Sequence, residues 1–218
     1  MAELEAIVLF GVLPVAGALA AWLAIWRQLH VAKRQHSAEA LRALRGKVVV
    51  LGVLPSTLLL FAFAIAFLYV LGPRPVGGAF LTYGGMAYGI PALLTGLGQA
   101  IVYHRGLPSM VRNERIFGRL VVGSVFPEVV VEFGFAVSFL ILGLSRGPSP
   151  EDLVNAGRAA LLVSVGALAA PASAIAFVRT WDWESLPGFR RAVAFSAAVL
   201  VVPAVFFALA LLALRGAL

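Results

Sequence analysis

The chain has 218 residues, of which 61% are hydrophobic and 12% are charged, and its formal net charge is +7. A soluble domain of this size cannot bury so much apolar surface, so the composition predicts a membrane protein. The absence of cysteine excludes disulfides and thiolate metal sites, and all three histidines fall in or beside polar loops, which argues against a haem or a histidine-bound metal. We expect no cofactor. The net positive charge does not indicate nucleic-acid binding, because most of the basic residues lie in the loops on one side of the membrane.

Six apolar runs are long enough to cross a bilayer as helices, which takes about 20 residues each. In chain order they are approximately Ile7–Trp26, Val48–Leu71, Ala79–Tyr103, Leu120–Leu144, Ala159–Val178 and Ala192–Leu214. The chain begins Met-Ala-Glu-Leu-Glu, an acidic start that favours a first span over a cleaved signal peptide. The sequence therefore predicts an all-α integral membrane protein with six transmembrane helices.

Lysine and arginine are distributed unequally between the two sets of loops. The loops after the first, third and fifth spans hold 13 of the 17 basic residues, and the other side holds Arg74, Arg146, Arg158 and Arg215. Because cytoplasmic loops carry the excess of positive charge, this pattern places the three basic loops in the cytoplasm and both termini outside. We interpret the basic runs as topology signals and lipid-headgroup contacts, with docking of a specific partner as the alternative.

The spans repeat as three tandem helical hairpins, each with a proline near the middle of each helix. The prolines of the even spans are spaced by 72 and 76 residues and those of the odd spans by 77 and 80 residues. They are Pro55, Pro127 and Pro203 in the even spans, and Pro14, Pro91 and Pro171 in the odd spans. The hairpins are predicted over residues 1–73, 74–148 and 149–218. Small residues dominate the odd spans and bulky ones the even spans, which predicts an arc with odd helices inside and even helices facing lipid.

Glu128 and Glu132 are the two acidic residues near the middle of a span. A carboxylate at that depth is energetically costly and indicates a functional site. The two residues share a helix face, and in a low dielectric both cannot be ionised, so at least one holds a proton or another cation. Glu128 is the stronger candidate because it follows the repeated proline, where the other copies have Ser56 and Ala204. The alternative for each residue is a neutral carboxylic acid that only hydrogen-bonds a neighbouring helix. This alternative has more weight for Glu132 than for Glu128.

Three further polar side chains are candidates to complete an ion-binding site. Gln99 is the one amide deep in the third span, and Ser56 and Thr57 lie at the equivalent level of the second span. An amide or hydroxyl oxygen can bind a cation or hydrogen-bond a carboxyl group. An ordinary hydrogen bond between helices, or to the residue's own backbone, is the alternative for each. Thr95 and Tyr88 are weaker candidates. No phosphate-binding loop, zinc-binding helix pair or catalytic triad is present, so no catalytic residue is predicted.

Two stretches resemble a known family. They are Gly89-Ile-Pro-Ala-Leu-Leu-Thr-Gly-Leu-Gly-Gln-Ala and, after a basic loop, a run in which Pro127-Glu is followed by Gly134-Phe-Ala-Val-Ser-Phe-Leu. Together they resemble the proteolipid that builds the rotor ring, or c-ring, of V-type and archaeal-type ATPases, here in a three-hairpin form. The middle hairpin carries the match, and the other two resemble it in proline positions and loop charge.

The resemblance implies a ring of these chains that turns in the plasma membrane of a prokaryote and moves ions, coupled to ATP hydrolysis or synthesis elsewhere in the complex. Glu128 would match the ion-carrying carboxylate, Gln99 its partner on the inner helix, and Thr57 a hydroxyl from the neighbouring hairpin. The expected partners are other copies of the chain, a stator protein with an arginine, the central stalk at the cytoplasmic loops, and lipid.

The chain also departs from the family pattern. Leu58 stands where sodium-binding members have a second glutamine, which favours protons over sodium. Ser56 and Ala204 replace the acid in two hairpins, so one site would serve three hairpins, and Glu132 has no counterpart in the pattern. Two alternatives stay open: a sodium-carrying version of the same rotor, with sodium at Glu128, and a small non-rotary ion transporter with its site at the membrane midplane.

Overall fold

A computed structural model describes residues 2–35, 38–71, 78–144, 149–180, 182 and 184–216. Within these residues the regular structure is entirely helical, and six stretches are long and apolar enough to cross a membrane, which confirms the predicted class. These spans, numbered 1 to 6 below, are Leu4–Arg34, Leu44–Phe67, Gly78–Arg112, Glu114–Gly143, Pro150–Arg179 and Leu186–Leu214. The predicted hairpin boundaries, after residues 73 and 148, fall outside the described residues, and the division into three hairpins stays a prediction.

The spans are built from eight described α-helices. These are α1 (Ala2–Ile7), α2 (Leu13–Gln35), α3 (Ala38–Leu71), α4 (Gly78–Arg112), α5 (Phe117–Leu144), α6 (Pro150–Gly166), α7 (Ala169–Arg179) and α8 (Leu186–Leu214). A π-helical turn, Val8–Val12, joins α1 to α2 within span 1, and a 3-10 turn, Glu114–Ile116, leads into α5. The helices of spans 1 to 3 extend well beyond the apolar runs into the basic loops.

Proline divides span 5 into two helices. Pro171 has no N–H to donate to the carbonyl oxygen of Ala167, four residues earlier. The N–H of Ala170 donates to that oxygen instead, at 3.0 Å, and the chain passes from α6 to α7 at this point. Pro55, Pro127 and the other even-span proline stay inside continuous helices. The repeated prolines therefore do not have one common effect on helix geometry.

The odd spans form an inner row and the even spans an outer row. Span 3 packs between spans 1 and 5, and span 4 packs on span 3 between spans 2 and 6. Glycine allows the inner helices to touch: a Cβ atom at Gly17 would lie 2.6 Å from the carbonyl oxygen of Ala92, and one at Gly96 would overlap the backbone of Gly17. Span 3 is the most buried, and spans 2 and 6 are the least buried. This arrangement agrees with the prediction from the distribution of small residues.

Ionic contacts join neighbouring hairpins at the predicted cytoplasmic end. Lys47, at the start of span 2, forms an ion pair with Glu114, before span 4. Arg112, at the end of span 3, lies 3.6 Å from the carboxylate of Glu184, before span 6, and Ser109 donates a hydrogen bond to the same carboxylate. Exposed pairs of this kind contribute about 0.2–1 kcal/mol each. They link span 2 to span 4 and span 3 to span 6 at this end of the protein.

Candidate ion-binding site

Glu128 lies in α5 directly after Pro127, and its side chain is 8% exposed. The fourth span places it in the middle of the membrane, where spans 2 and 6 flank it on the outer row. A lone ionised carboxylate is strongly destabilised in the hydrocarbon layer of a bilayer. A neutral carboxyl group with hydrogen-bond partners, or a carboxylate with a bound cation, is the stable form.

Thr57 of span 2 provides the side-chain partner of Glu128. Its Oγ1 lies 2.6 Å from Glu128 Oε1 and also 2.6 Å from the carbonyl oxygen of Leu54. A hydroxyl group has one hydrogen and can donate to only one of these oxygens. If the Glu128 carboxyl group is protonated, its O–H donates to Thr57, the Thr57 hydroxyl donates to Leu54, and both short contacts are hydrogen bonds. The geometry of the pair thus matches a protonated Glu128.

Ser56 precedes Thr57 but does not join this pair. Its hydroxyl donates to the carbonyl oxygen of Gly52 in the same helix, at 3.1 Å. Hydroxyl side chains in helices commonly bond in this way. For Ser56 the structure thus shows the alternative, a hydrogen bond to its own helix backbone. The two adjacent hydroxyl groups therefore have different roles: one contacts the acid of the next hairpin and the other contacts its own helix.

Gln99 is fully buried on span 3, and neither its amide nitrogen nor its amide oxygen has a hydrogen-bond partner among the described residues. The structure therefore does not show the predicted bond from Gln99 to Glu128. It does bring the same face of span 3 onto the site, because Thr95, one turn away, donates to the carbonyl oxygen of Pro127 at 2.9 Å. Gly98 packs on the Pro127 ring, where a Cβ atom would lie 2.9 Å from the ring carbons.

Glu132 lies one helical turn from Glu128 toward the predicted outer surface, and its side chain is exposed. A separation of four residues turns the helix by about 400°, so Glu132 is rotated by about 40° from Glu128. That rotation takes it from the packed groove beside span 2 to the outer face of span 4. The two carboxyl groups therefore occupy different environments.

Two buried tyrosines join span 3 to span 2 on either side of the site. Pro55 has no N–H for the carbonyl oxygen of Leu51, and the hydroxyl of Tyr103 donates to that oxygen at 3.0 Å. The hydroxyl of Tyr88, one of the weaker candidates, donates to the carbonyl oxygen of Leu58. Tyr103 was not predicted to contribute. The signal for it was Pro55, which leaves the carbonyl oxygen of Leu51 free to accept a hydrogen bond from a neighbouring helix.

Comparison with known proteins finds a match to the third and fourth spans. Residues 83–141 match the family model of the ATP synthase C subunit, and this segment includes Gln99 and Glu128 but not Thr57. The A-type ATP synthase subunit K of Methanocaldococcus jannaschii is 32% identical over 84 residues, which cover 38% of this chain and 38% of that protein. The chain thus matches about two-fifths of the length of this curated relative. No solved structure matches. The predicted resemblance to a rotor-ring proteolipid is confirmed over the middle hairpin.

Proposed function

We propose that this membrane protein is a rotor-ring component of the membrane sector of an A/V-type rotary ATPase, and that it carries one proton on Glu128. The middle hairpin matches the family of the ATP synthase C subunit over spans 3 and 4, which supports the rotor assignment. The observation that carries the ion assignment is the Thr57 hydroxyl between Glu128 and the Leu54 carbonyl, since both 2.6 Å contacts are satisfied when Glu128 holds a proton.

The contact at the site lies within one chain. Thr57 comes from span 2 and Glu128 from span 4, so the first and middle hairpins together supply the pair. Three hairpins then share one carboxyl group, because Ser56 and Ala204 occupy the equivalent positions in the other two. A ring built from such chains has few ion sites for its circumference and moves few ions per turn. Such a low ratio of ions to ATP suits pumping against a steep gradient.

Proton carriage follows from the electrostatics of the bilayer. The ring can rotate past lipid at low energetic cost while Glu128 is protonated, but not while Glu128 is ionised. An arginine on a stator protein stabilises the ionised form and causes release of the proton into an exit path. The ring turns as loaded sites leave the stator and empty sites enter it. The basic loops, with Lys47 and Arg112 among them, face the cytoplasm and contact the central stalk. ATP is made or used elsewhere in the complex, so the chain itself is a transport component.

The proposal is tested by comparing Glu128→Gln with Glu132→Gln in the assembled complex. Glutamine keeps the size of the side chain and cannot release a proton at membrane depth. We expect Glu128→Gln to abolish ion transport and modification by a carbodiimide, and Glu132→Gln to retain most of both. Full transport by the Glu128 variant would refute the assignment. If sodium protects Glu128 from the carbodiimide at alkaline pH, where protons do not compete, the transported ion is sodium and not a proton.

Ring formation is tested by size in mild detergent. A rotor ring migrates as a large, stable oligomer of this chain, and a small transporter migrates as a monomer or dimer. We expect the large form, and we expect it to survive Glu128→Gln because the Glu128 side chain is buried within the chain beside Thr57. A monodisperse monomer that still transports ions would favour the non-rotary transporter.

A further inference from the structure

One aromatic contact between neighbouring even spans occurs twice inside the chain. Phe61 of span 2 stacks on Phe135 of span 4, with ring centroids 4.9 Å apart. Phe133 of span 4 stacks on Phe207 of span 6, with ring centroids 4.7 Å apart. Both members of the second pair lie 72 residues after the corresponding members of the first pair. The outer row is therefore joined by the same contact at both of its internal junctions.

The same step of 72 residues identifies an unused member of this contact at each end of the outer row. On span 2, the residue 72 positions before Phe135 is Phe63, and on span 6, the residue 72 positions after Phe133 is Val205. Phe63 stacks on Phe67 of its own helix and is still 67% exposed, and Val205 is 51% exposed. The two members of a third junction are thus present, but they lie on opposite edges of the chain.

The inner row has a matching pair of uncovered faces. Gly17 of span 1 faces span 3, and Val15 and Leu19, two residues to either side, point away from span 3 because each residue turns the helix by about 100°. Ala170 of span 5 also faces span 3, and Ala172 points away from it for the same reason. Exposed apolar residues form both faces. They are Val12, Val15 and Leu19 on span 1, and Leu161, Val165, Leu168 and Ala172 on span 5.

The repeat of the contacts indicates what covers these edges. Exposed apolar side chains in a membrane do not by themselves require a protein partner, because lipid chains are equally apolar. Inside the chain, however, spans 3 and 4 lie beside spans 1 and 2. When spans 1 and 2 of one copy lie in the same way beside spans 5 and 6 of another copy, Phe63 meets Val205 and the two inner faces meet each other. The two edges are different surfaces, so this contact is heterologous and continues from copy to copy until a ring closes.

We propose that copies of this chain join through these two edges, with Phe63 on the span 2 edge of one copy packed on Val205 on the span 6 edge of the next copy. The inference rests on the proposed rotor ring and names the contact from which the ring is built. An aromatic ring against a valine replaces the two phenylalanine pairs found inside the chain. The junction between copies is therefore distinguishable from the two internal junctions.

The junction between copies also lacks an ion site. The position 72 residues before Glu128 is Ser56 on span 2, and the position equivalent to Thr57 on span 6 is Val201, which is exposed. A hydroxyl group that bonds its own helix therefore faces a valine where the internal site has an acid and its hydroxyl partner. The ring thus holds its carboxyl groups inside the chains, and the copies contact each other at this depth through apolar packing.

The test is cysteine cross-linking in the membrane, and the chain is suited to it because it has no cysteine of its own. The full-length variant with Phe63→Cys and Val205→Cys is treated with a short, membrane-permeant reagent that joins two thiols, and the products are separated under denaturing conditions. We expect a ladder of covalent oligomers, because every copy has one cysteine on each edge. The matched control is Val53→Cys with Val205→Cys. Val53 is 57% exposed on the same span but lies ten residues, about 15 Å, nearer the predicted cytoplasmic end, so it should give no ladder.

The two single variants, carrying different tags, test whether the contact is heterologous. Phe63→Cys alone and Val205→Cys alone should give no product, because identical edges do not meet. Expressed together, they should give dimers that contain both tags and no larger product, since each chain then has only one cysteine. Cross-linked dimers of either single variant alone would indicate a symmetric contact and would overturn the proposal.

The size of the protein in mild detergent separates failure of this contact from failure of the ring. A large oligomer without the product between Phe63→Cys and Val205→Cys would overturn the contact alone, because lipid or another face of the chain would then cover these edges. A monomer without the product would overturn the ring and the contact together. An equally strong ladder from the Val53 control would indicate random collisions and would also overturn the proposal.

Discussion

The close backbone contact between spans 1 and 3 predicts that Gly17→Ala destabilises the protein. Gly17 on span 1 faces the backbone of span 3, and a Cβ atom there would lie 2.6 Å from the carbonyl oxygen of Ala92 and 3.0 Å from Leu93 Cα. Both neighbours are backbone atoms of a helix, so no side chain can rotate away. The added methyl group can be accommodated only if the two helices move apart.

The size of the effect follows from these distances. The Cβ···O separation must grow by about 0.8 Å to reach an ordinary contact of 3.4 Å. Adding atoms to a packed contact of this kind costs about 1–3 kcal/mol. Alanine favours the helical state over glycine by about 0.5–1 kcal/mol, which offsets part of the loss. We therefore expect a net destabilisation of about 1–2 kcal/mol, which lowers the melting temperature by roughly 2–8 °C for a chain of this length.

The assay is thermal unfolding of the purified protein in a fixed detergent. Gly52→Ala is the matched control, because Gly52 is inside the helix of span 2 and a Cβ atom there would have no neighbour within 4 Å. The control gains helix propensity without overlap, so its melting temperature should stay equal or rise by a few degrees. If Gly17→Ala melts at or above the temperature of Gly52→Ala, the inner row is not packed through its glycines as described.

Three further substitutions test the site. Thr57→Val removes the oxygen that holds the Glu128 carboxyl group, and the loss of about 1.4 kcal/mol should slow ion transport by the assembled complex about tenfold. Ser56→Ala removes a hydroxyl that bonds only within its own helix, and it should leave the transport rate within about twofold of the wild type. Tyr103→Phe leaves the carbonyl oxygen of Leu51 without a donor and should destabilise the protein by about 1–3 kcal/mol in thermal unfolding. Rates or stabilities equal to the wild type for Thr57→Val and Tyr103→Phe would contradict the contacts described.

Periodic features of the sequence predicted most of the fold. The six spans follow from apolar length, and the inner and outer rows follow from the small residues around Gly17 and Gly96. The sequence did not predict where span 5 divides. Pro91 and Pro171 are equivalent in the repeats, yet α4 continues through Pro91 whereas span 5 divides into α6 and α7 beside Pro171. Both prolines lack the same N–H, so the proline alone does not determine the break. The packing around each proline is a tertiary feature and has no local signal in the sequence.

The site was predicted in part, and the limit has a physical reason. Helix periodicity places Glu128 and Thr57 at the same depth, and the structure brings them into contact. Periodicity does not show which of two adjacent hydroxyls faces the next helix, and the family resemblance alone favoured Thr57 over Ser56. The rotation of about 40° between Glu128 and Glu132 is small on a helical wheel but decides between a groove and the outer face. Gln99 is buried as expected, although the structure gives it no partner among the described residues.

Identification of the carboxyl group that reacts with a hydrophobic carbodiimide tests the central claim most directly. The intact ring is treated in the membrane, and the modified residue is located by peptide mass mapping. Glu128, protonated beside Thr57, should carry the modification once per chain, and transport should stop as that single residue is modified. Modification of Glu132 with Glu128 unreacted, or continued transport after Glu128 is fully modified, would contradict the account.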